Sequence, residues 1–287
     1  MNENRGPGTE IGRVIAAWPR RNIRRLAVSL AAAMLLLSVP AQADAGPAQH
    51  DVLILVYHRF SEGKSAHDVG STTVSLETFC SQLEFFTANG YQIVPMADVL
   101  AWLAGSQDTL PPRALALTLD DGHRSVFEIA WPMLKARSTP VTLFLYPSAI
   151  SNASYAMTWN QVRELTRSIH VGVGSHTYWH PNFKTERARR TPADYERFVR
   201  DQFRRSRASL ETAMGKPVQW LAWPFGIYDP QLEAIAREEG YRYAFSIDAK
   251  PVTPHSDPMA IPRYLMTQEC GAVCLRRMLT QAQTRHD

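Results

Sequence analysis

Short apolar runs alternate with segments of helical periodicity along most of the chain. Apolar runs bounded by turn residues predict buried strands, whereas apolar residues that recur every three or four positions predict helices. The predicted strands cover residues 52–57, 91–94, 114–119, 141–145, 170–173, 218–222 and 243–247. The predicted helices cover residues 76–88, 96–103, 124–136, 158–167, 191–214 and 231–239. Strands that alternate with helices at this spacing predict a parallel sheet, and about seven such units predict a barrel-like α/β domain.

The N-terminal segment has the pattern of a secretory signal peptide. Arginines between residues 20 and 25 form a positive region, and the apolar stretch 26–39 that follows is short for a bilayer span. Ala41 and Ala43 then give the small-residue pattern of a cleavage site. The sequence therefore predicts three parts, which are a signal peptide over residues 1–43, a short tether over 44–50 and a single domain over 51–287.

This leader also determines the predicted location of the protein. Cleavage after Ala43 would leave an exported protein in the periplasm, outside the cell or at the cell envelope, with no stable membrane span. An uncleaved leader would instead act as an N-terminal anchor. The short apolar stretch and the position of the two alanines favour cleavage.

The net charge of the chain is concentrated in the same leader. The 287 residues have a formal net charge of +4, and contents of 45% apolar and 20% charged residues are ordinary for a globular protein. Residues 1–43 contain six arginines and two glutamates, so they account for the whole net charge and residues 44–287 are neutral. Because residues 44–287 are neutral, they lack the basic surface that nucleic acids require, and we expect no nucleic-acid partner.

The three cysteines are too few for a disulfide scaffold. Cys270 and Cys274 are four positions apart in a predicted terminal helix, where a disulfide between them would be strained. Cys80 lies among apolar residues at helical spacing, which predicts buried packing.

Two pairs of polar residues follow predicted strands and carry the candidate chemistry. Asp120 and Asp121 end the third strand, and His176 and His180 follow the fifth at a spacing that predicts one face of a helical turn. In α/β folds the chemistry collects beyond the carboxyl ends of the strands, so all four side chains are expected in one site. Two histidines and one aspartate make three metal ligands with an open position for water, and the other aspartate is then free as a base. The alternatives are an Asp-Gly turn and two unrelated loop histidines.

Two further strand ends contribute candidates. His58 follows the first strand at the same predicted rim, although a histidine in that position is more often structural. The loop from Trp223 to Gly226 follows the sixth strand, and its Pro and Gly form a tight turn that can direct a backbone N–H into the cleft.

These motifs together resemble the polysaccharide deacetylases of the NodB-homology class, carbohydrate esterase family four. The family's T-F-D-D-G motif corresponds to Thr118–Gly122, and its H-S/T-x-x-H motif corresponds to His176–His180. The R-x-P-Y-G loop has an altered counterpart in Trp223–Gly226. The resemblance covers about residues 51–270, and the two ligand motifs in this order are fairly specific.

The resemblance implies a distorted (β/α) barrel of about seven parallel strands. It also implies one divalent metal ion, with Zn²⁺ the first expectation and Co²⁺ or Ni²⁺ the alternatives. Asp120 would be the catalytic base. The metal ligands would be Asp121, His176 and His180.

Two departures from the family pattern affect these assignments. Ala222 stands where family members carry the arginine that orients the base, and Arg263 is either its substitute or an ordinary surface charge. The family's usual catalytic acid comes from an L-x-H motif toward the C-terminal end of the domain, and this sequence has no such motif. The opening Leu55–His58 resembles instead the rearranged order of deacetylases of biofilm poly-N-acetylglucosamine, in which this histidine comes from the N-terminal strand.

The sequence therefore predicts an exported, metal-dependent enzyme that removes acetyl groups from an N-acetylated glycan. In this interpretation Asp120 takes a proton from water, the Phe225 backbone N–H holds the oxyanion, and His58 protonates the leaving amine. Aromatic residues near the ligands suit a neutral sugar chain, although some of them could belong to the core. These aromatic residues are Tyr178, Trp179, Phe183, Trp223 and Phe225.

Three other functions fit the same residues. The missing motif arginine would suit a catalytically silent glycan-binding module on the same fold, and the same mechanism would serve an O-acetyl esterase. Two histidines and one carboxylate also suit a non-haem iron oxygenase, although a second carboxylate that is not needed as a ligand favours hydrolysis. The sequence predicts no particular oligomeric state.

Overall fold

Short strands alternate with helices in the computed structural model, which describes residues 52–63, 71–107 and 110–283. The strands are β1 (Leu53–Tyr57), β2 (Arg59–Ser61), β3 (Thr73–Ser75), β4 (Gln92–Ile93), β5 (Ala114–Asp121), β6 (Val141–Leu145), β7 (Val171–Ser175), β8 (Trp220–Ala222), β9 (Tyr243–Phe245) and β10 (Tyr264–Leu265). The α-helices are α1 (Leu76–Ala88), α2 (Met96–Leu103), α3 (Trp131–Ala136), α4 (Trp159–Thr166), α5 (Phe183–Ala188), α6 (Pro192–Met214), α7 (Pro230–Glu238) and α8 (Ala272–Gln283). A π-helical turn (Val126–Ala130) precedes α3, and a 3₁₀ turn (Pro224–Gly226) follows β8.

The predicted signal peptide (1–43) and tether (44–50) lie outside the described residues. Residues His50–Asp287 form one compact unit. None of the helices in the described part of the chain is both long enough and apolar enough to cross a membrane.

A curled parallel sheet forms the centre of the fold. Its strand order is β10-β1-β5-β6-β7-β8-β9, and β4 pairs with β5 outside this path. Beyond β9, a bridge between Phe245 and Ile261 connects that edge to the segment leading into β10. The sheet therefore curls toward closure as a distorted (β/α) barrel of seven parallel strands, which confirms the predicted fold class.

The path of this sheet differs from the predicted strands in one respect. The strand predicted at 91–94 contains only two residues, and it lies beside the first part of β5 while β6 lies beside the later part. The seventh strand of the path is instead β10, which pairs with β1. The hydrophobic pattern did not predict β10 because two residues are too few to show a period.

The central strands are mostly apolar because both of their faces are covered. All residues of β1 and β6 are buried, as expected for parallel strands between two packed layers. One core cluster joins residues of the strands and includes Ile54, Ala116 and Phe144. The second cluster contains residues of α6, α7, β8 and β9 and includes Phe203 and Trp223.

The ends of helix α6 are specified by local sequence. Thr191 is the N-cap, and its Oγ1 accepts a hydrogen bond from the Asp194 backbone N–H at 3.2 Å. Pro192 occupies the first helical position, where its missing N–H costs nothing. Gly215 ends the helix with a φ of 66°, a left-handed conformation that glycine adopts readily. The predicted helix over 191–214 is therefore confirmed.

The register of the sheet brings the carboxyl ends of five strands to one edge. Tyr57 lies beside Leu119, and Asp121 lies beside Leu145. Leu145 pairs with Ser175, which in turn pairs with β8. The residues that follow β1, β5, β6, β7 and β8 therefore lie along the same edge, where parallel α/β folds carry their chemistry.

Gly174 in β7 has no space for a side chain. A Cβ atom there would lie 2.6 Å from Cδ1 of Phe144, which is fully buried, and 3.1 Å from the carbonyl oxygen of Trp220. We expect Gly174→Ala to lower the free energy of unfolding by about 1–3 kcal/mol, because the packed core cannot take the added volume. Urea unfolding measures the effect, with Gly63→Ala as the control because nothing lies within 4 Å of that site. Equal stability of the two variants would contradict this expectation.

A disulfide joins Cys270 to Cys274, contrary to the expectation from their spacing. That expectation had both cysteines on one helix, but α8 begins at Ala272, so Cys270 lies outside it. The two Cα atoms are 5.2 Å apart, within the ordinary range for a disulfide. Cys80 is a buried free thiol, as predicted.

Candidate active site

Asp120 is buried and paired with an arginine from a distant part of the chain. Arg263 donates from Nη1 and Nη2 to the two carboxylate oxygens of Asp120, at 2.8 Å each. Arg263 also donates to the carbonyl oxygen of Ser246 at 2.9 Å and to Oγ1 of Thr118 at 3.1 Å. Since Arg263 is 0% exposed, the alternative that it is an ordinary surface charge is wrong.

This pairing keeps the Asp120 carboxylate ionised. Burial by itself raises the pKa of Asp120, but the charge and hydrogen bonds of Arg263, together with nearby His176, outweigh burial and hold the pKa below its ordinary value. Asp120 is therefore a negatively charged proton acceptor at neutral pH, fixed in orientation by a bidentate partner.

Asp121, His176 and His180 bring three potential ligand atoms together. One atom of each residue lies within 4.8 Å of the other two. Asp121 Oδ1 is 3.6 Å from His176 Nε2 and 3.7 Å from His180 Nε2. Ligand atoms on a tetrahedral ion with bonds of about 2.1 Å are about 3.4 Å apart, so these separations fit a single divalent ion.

Two features of these side chains indicate that they suit a cation. Asp121 Oδ1 is buried and has no hydrogen-bond partner among the described residues, an arrangement that is costly for a carboxylate without a positive partner. The carbonyl oxygen of Ala222 accepts a hydrogen bond from His176 Nδ1 at 2.8 Å. That bond leaves a lone pair on His176 Nε2, which faces Asp121. One carboxylate oxygen and two imidazole nitrogens match the donor set of a divalent transition metal.

The electrostatics of the two histidines favour the form that binds metal. Burial and the neighbouring His180 lower the pKa of His176 to about 3. Burial also lowers the pKa of His180. Both imidazoles are therefore neutral at physiological pH, and protons compete weakly with a metal ion for their nitrogens.

The metal-free protein is expected to lose stability as the pH falls from 7 to 5.5. An ordinary histidine of the unfolded chain takes up a proton at about pH 6.5, whereas folded His176 stays neutral because its pKa is about 3. The unfolded state then binds more protons, so stability falls with pH by up to about 1.4 kcal/mol per pH unit for one such group. His176→Asn should remove its share of this slope in urea unfolding after chelation. If the free energy of unfolding depends on pH equally in the wild type and in His176→Asn, the conclusion that folded His176 stays neutral is contradicted.

The loop that carries the two histidines is not the predicted helical turn. Thr177 and His180 have φ values of 64° and 63°, in the left-handed region. Ser175 Oγ accepts from the Thr177 backbone N–H at 3.0 Å, and Gln202 Oε1 accepts from that of Trp179 at 3.2 Å. These bonds shape the loop so that the two imidazole centroids are 4.5 Å apart. The helical turn was therefore the wrong geometry, although the two rings do meet.

His58 lies near both carboxylates, beyond the end of β1. Burial lowers the pKa of His58, and the charges of Asp120 and Asp121 act in the opposite direction. Its Nδ1 atom is buried and has no hydrogen-bond partner in the described part of the chain. The structure thus brings His58 to the same edge as the candidate base and ligands.

The loop after β8 contributes Phe225 to the site but not the side chain of Trp223. Phe225 is 56% exposed, and its ring centroid is 4.5 Å from that of His180. Trp223 is fully buried, donates from Nε1 to the carbonyl oxygen of Met259 at 2.8 Å, and packs against Phe203. The prediction that Trp223 contacts substrate is wrong, because its side chain belongs to the core formed with α6.

The other predicted aromatic residues divide between core and surface. Phe183 is buried, Tyr178 is half-buried and Trp179 is exposed. Sequence reasoning missed Tyr146, whose ring centroid is 5.5 Å from that of His180. Tyr146 directly follows β6, so the rule that chemistry follows strand ends could have identified it.

Comparisons with family models, with protein sequences and with solved structures each find proteins similar to this chain. A family model described as polysaccharide deacetylase matches residues 107–244. A poly-β-1,6-N-acetyl-D-glucosamine N-deacetylase of Staphylococcus aureus is 21% identical over 244 residues, which cover 80% of this chain and 83% of that protein. The solved structure of IcaB from Ammonifex degensii has a TM-score of 0.69 and 26% identity, and the match covers 82% of this chain and 97% of that one. A de-N-acetylase from Aggregatibacter actinomycetemcomitans has a TM-score of 0.68 and 22% identity, over 79% and 99% of the two chains.

The stretch matched by the family model contains Asp120 and all three candidate ligands. His58 and Arg263 lie outside that stretch, on either side of it. The solved structures share the curled parallel barrel. The resemblance seen in the motifs is confirmed: residues 107–244 match the polysaccharide deacetylase family, and this domain is homologous to the biofilm poly-β-1,6-N-acetylglucosamine deacetylases.

Proposed function

We propose that this chain is a metal-dependent hydrolase that removes N-acetyl groups from a polysaccharide or oligosaccharide and releases acetate. The observation that carries the proposal is the different environment of two adjacent carboxylates. Asp121 clusters with two histidines and its Oδ1 has no hydrogen-bond partner among the described residues, whereas both carboxylate oxygens of Asp120 accept hydrogen bonds from Arg263. Relatives named poly-β-1,6-N-acetyl-D-glucosamine N-deacetylases support an N-acetylated glycan as the substrate.

Asp121, His176 and His180 would hold the divalent ion. Zn²⁺ is our first choice, and Co²⁺ or Ni²⁺ would accept the same donors. When bound, such an ion would act as a Lewis acid that polarises an amide carbonyl and lowers the pKa of a water molecule bound to it. The protein contributes two neutral imidazoles, one of which is fixed by the carbonyl of Ala222.

Asp120 is the proposed base. Its carboxylate accepts a proton from the attacking water while the water oxygen forms a bond to the acetyl carbonyl carbon. Arg263 is a positioning residue, because it holds both carboxylate oxygens and keeps Asp120 ionised before the reaction. Arg263 would thus replace the motif arginine of the family pattern, at whose place Ala222 stands.

His58 is the proposed acid. As the carbon–nitrogen bond breaks, the amine nitrogen takes a proton from His58, and the products are acetate and the free amino sugar. Burial lowers the pKa of His58, so its imidazole is mostly neutral at neutral pH and only the protonated fraction can act as this acid. The backbone N–H of Phe225 is the proposed donor to the oxygen that becomes negative during the reaction.

His58→Ala should lower kcat by about 10²–10⁴-fold without loss of the metal, because a proton donor is removed and the ligands are not touched. Acetate release measures kcat, and elemental analysis of the purified protein measures its metal content. His255→Ala, which alters an exposed histidine, is the matched control. Undiminished turnover in His58→Ala would return His58 to a structural role.

The substrate class is tested by incubating metal-loaded protein with N-acetylglucosamine oligomers of several linkages and with acetylated xylan. We expect acetate from the N-acetylated oligomers, lost on chelation and restored by Zn²⁺, and absent in His176→Ala. Acetate from xylan alone would contradict the N-deacetylase proposal in favour of an O-acetyl esterase. An intact metal site that releases no acetate from any glycan would favour the silent binding module.

We also propose that the enzyme acts outside the cytoplasm. The signal-peptide pattern over 1–43 supports export, and the boundaries of the leader, tether (44–50) and domain (51–287) remain predictions from sequence. The zero formal charge of residues 44–287 is consistent with a neutral glycan, which needs no electrostatic attraction to the protein.

A further inference from the structure

We propose that Tyr155 forms a subsite that binds a sugar ring next to the reacting residue of a glycan chain. The inference rests on the proposed function, because it concerns the substrate of the same site. It identifies the preferred substrate as a neutral oligosaccharide or polysaccharide that extends beyond one sugar.

Exposed aromatic side chains are concentrated at the rim of the site. Among the described residues, the large aromatic side chains with high exposure are Tyr155 at 46%, Trp179 at 41% and Phe225 at 56%. They lie in the loops after β6, β7 and β8, which are neighbours in the sheet. The other exposed large hydrophobic residues, Ile169 and Val273, are aliphatic. Exposed rings along one rim indicate a surface used for binding.

Tyr155 is connected to the candidate ligands through one further ring. The hydroxyl oxygens of Tyr155 and Tyr146 are 2.9 Å apart. The Tyr146 ring centroid lies 5.5 Å from that of His180, whose ring also contacts Phe225. The exposed rings of Tyr155 and Phe225 are thus linked through Tyr146 and His180. A glycan whose acetylated residue lies over the ligands would present an adjoining residue to Tyr155.

The Tyr155 ring is held in place by the segment that follows the two carboxylates. The ring of His123 stacks on it, with centroids 6.2 Å apart and planes inclined by 12°. The Tyr155 carbonyl oxygen accepts from the Arg124 backbone N–H at 2.8 Å, and a bridge pairs His123 with Ala156. Because this ring is ordered before binding, little conformational entropy is lost when a ligand contacts it.

The chemistry of the ring suits a sugar. The Tyr155 hydroxyl is already paired with Tyr146, so the aromatic surface is the part that it offers to a ligand. Sugar rings have apolar C–H faces that pack on aromatic side chains, and ligand sites combine such surfaces with a few fixed polar groups. Phe225 would contact the reacting residue, and Tyr155 would contact its neighbour.

The test compares Tyr155→Ala and Tyr155→Phe with Ile169→Ala, which removes an exposed apolar side chain elsewhere in the chain. The probe is a long β-linked N-acetylglucosamine oligomer, with acetate release for kcat and KM and calorimetry for binding. We expect Tyr155→Ala to raise KM and Kd about tenfold with kcat nearly unchanged, because the ring contributes equally to ground-state and transition-state binding. Tyr155→Phe retains the ring and should stay within about twofold of the wild type.

The outcomes separate this subsite from the proposed function. Unchanged KM and Kd in Tyr155→Ala, or a loss of kcat at unchanged KM, would overturn the subsite while the deacetylase activity stands. A wild-type protein that binds the oligomer without releasing acetate, with weaker binding in Tyr155→Ala, would overturn the proposed function and support the subsite. A wild-type protein that neither binds nor hydrolyses the oligomer would overturn both.

Discussion

Asp120→Asn is expected to lower kcat for acetate release by about 10²–10⁴-fold while the metal stays bound. Asparagine has the shape of aspartate but cannot accept the proton from water, and a positioned base contributes about this much to a rate. The metal should remain because its proposed ligands are Asp121, His176 and His180. Acetate release at saturating glycan and elemental analysis measure the two properties.

The same substitution should also destabilise the fold, because Asp120 is the buried counter-charge of Arg263. Removing one partner of a buried ion pair costs about 3–5 kcal/mol, and Asp120→Asn leaves the guanidinium without a negative partner. The rate must therefore be expressed per folded molecule, which urea unfolding provides. A folded, metal-containing Asp120→Asn protein with kcat close to the wild-type value would contradict the role of Asp120 as base.

Arg263→Met is expected to affect both stability and the pH dependence of turnover. Without Arg263, burial acts on Asp120 with less opposition and raises the pKa of its carboxyl. The acidic limb of the profile of kcat/KM against pH should then move to higher pH, and activity at neutral pH should fall. The free energy of unfolding should drop by about 3–5 kcal/mol, because a buried carboxylate loses its partner.

A double variant separates the structural role of this pair from its role in catalysis. Asp120→Asn combined with Arg263→Met removes both charges, so it should recover much of the stability lost by either single variant and none of the activity. Urea unfolding and acetate release on all four proteins complete the cycle. Arg263→Met with wild-type stability and an unshifted pH profile would contradict the positioning role.

Much of the fold could be predicted because its signals are local. Strands buried on both faces, such as β1 and β6, appear as nearly continuous apolar runs, and the N-cap at Thr191 marks the start of α6. The location of the site could also be predicted, because each motif follows a strand and the carboxyl ends of parallel strands share one edge.

The features that sequence reasoning missed depend on contacts between distant residues or on unusual backbone. Arg263 could be suggested as a partner of Asp120 but not established, because their contact spans 143 positions. Gln202 holds the histidine loop from α6, and no local pattern marks that role. The helical turn was wrong because Thr177 and His180 adopt left-handed φ values, which cost about 1–3 kcal/mol each and persist only where tertiary contacts require them.

Anomalous X-ray diffraction at the zinc absorption edge, from crystals of zinc-loaded protein, tests the central claim most directly. The account predicts one peak at about 2.0–2.2 Å from a carboxylate oxygen of Asp121 and from one ring nitrogen each of His176 and His180. It also predicts that Asp120 keeps both of its bonds to Arg263. A peak coordinated by Asp120 in place of Asp121, or no peak among these residues in a protein that releases acetate, would contradict it.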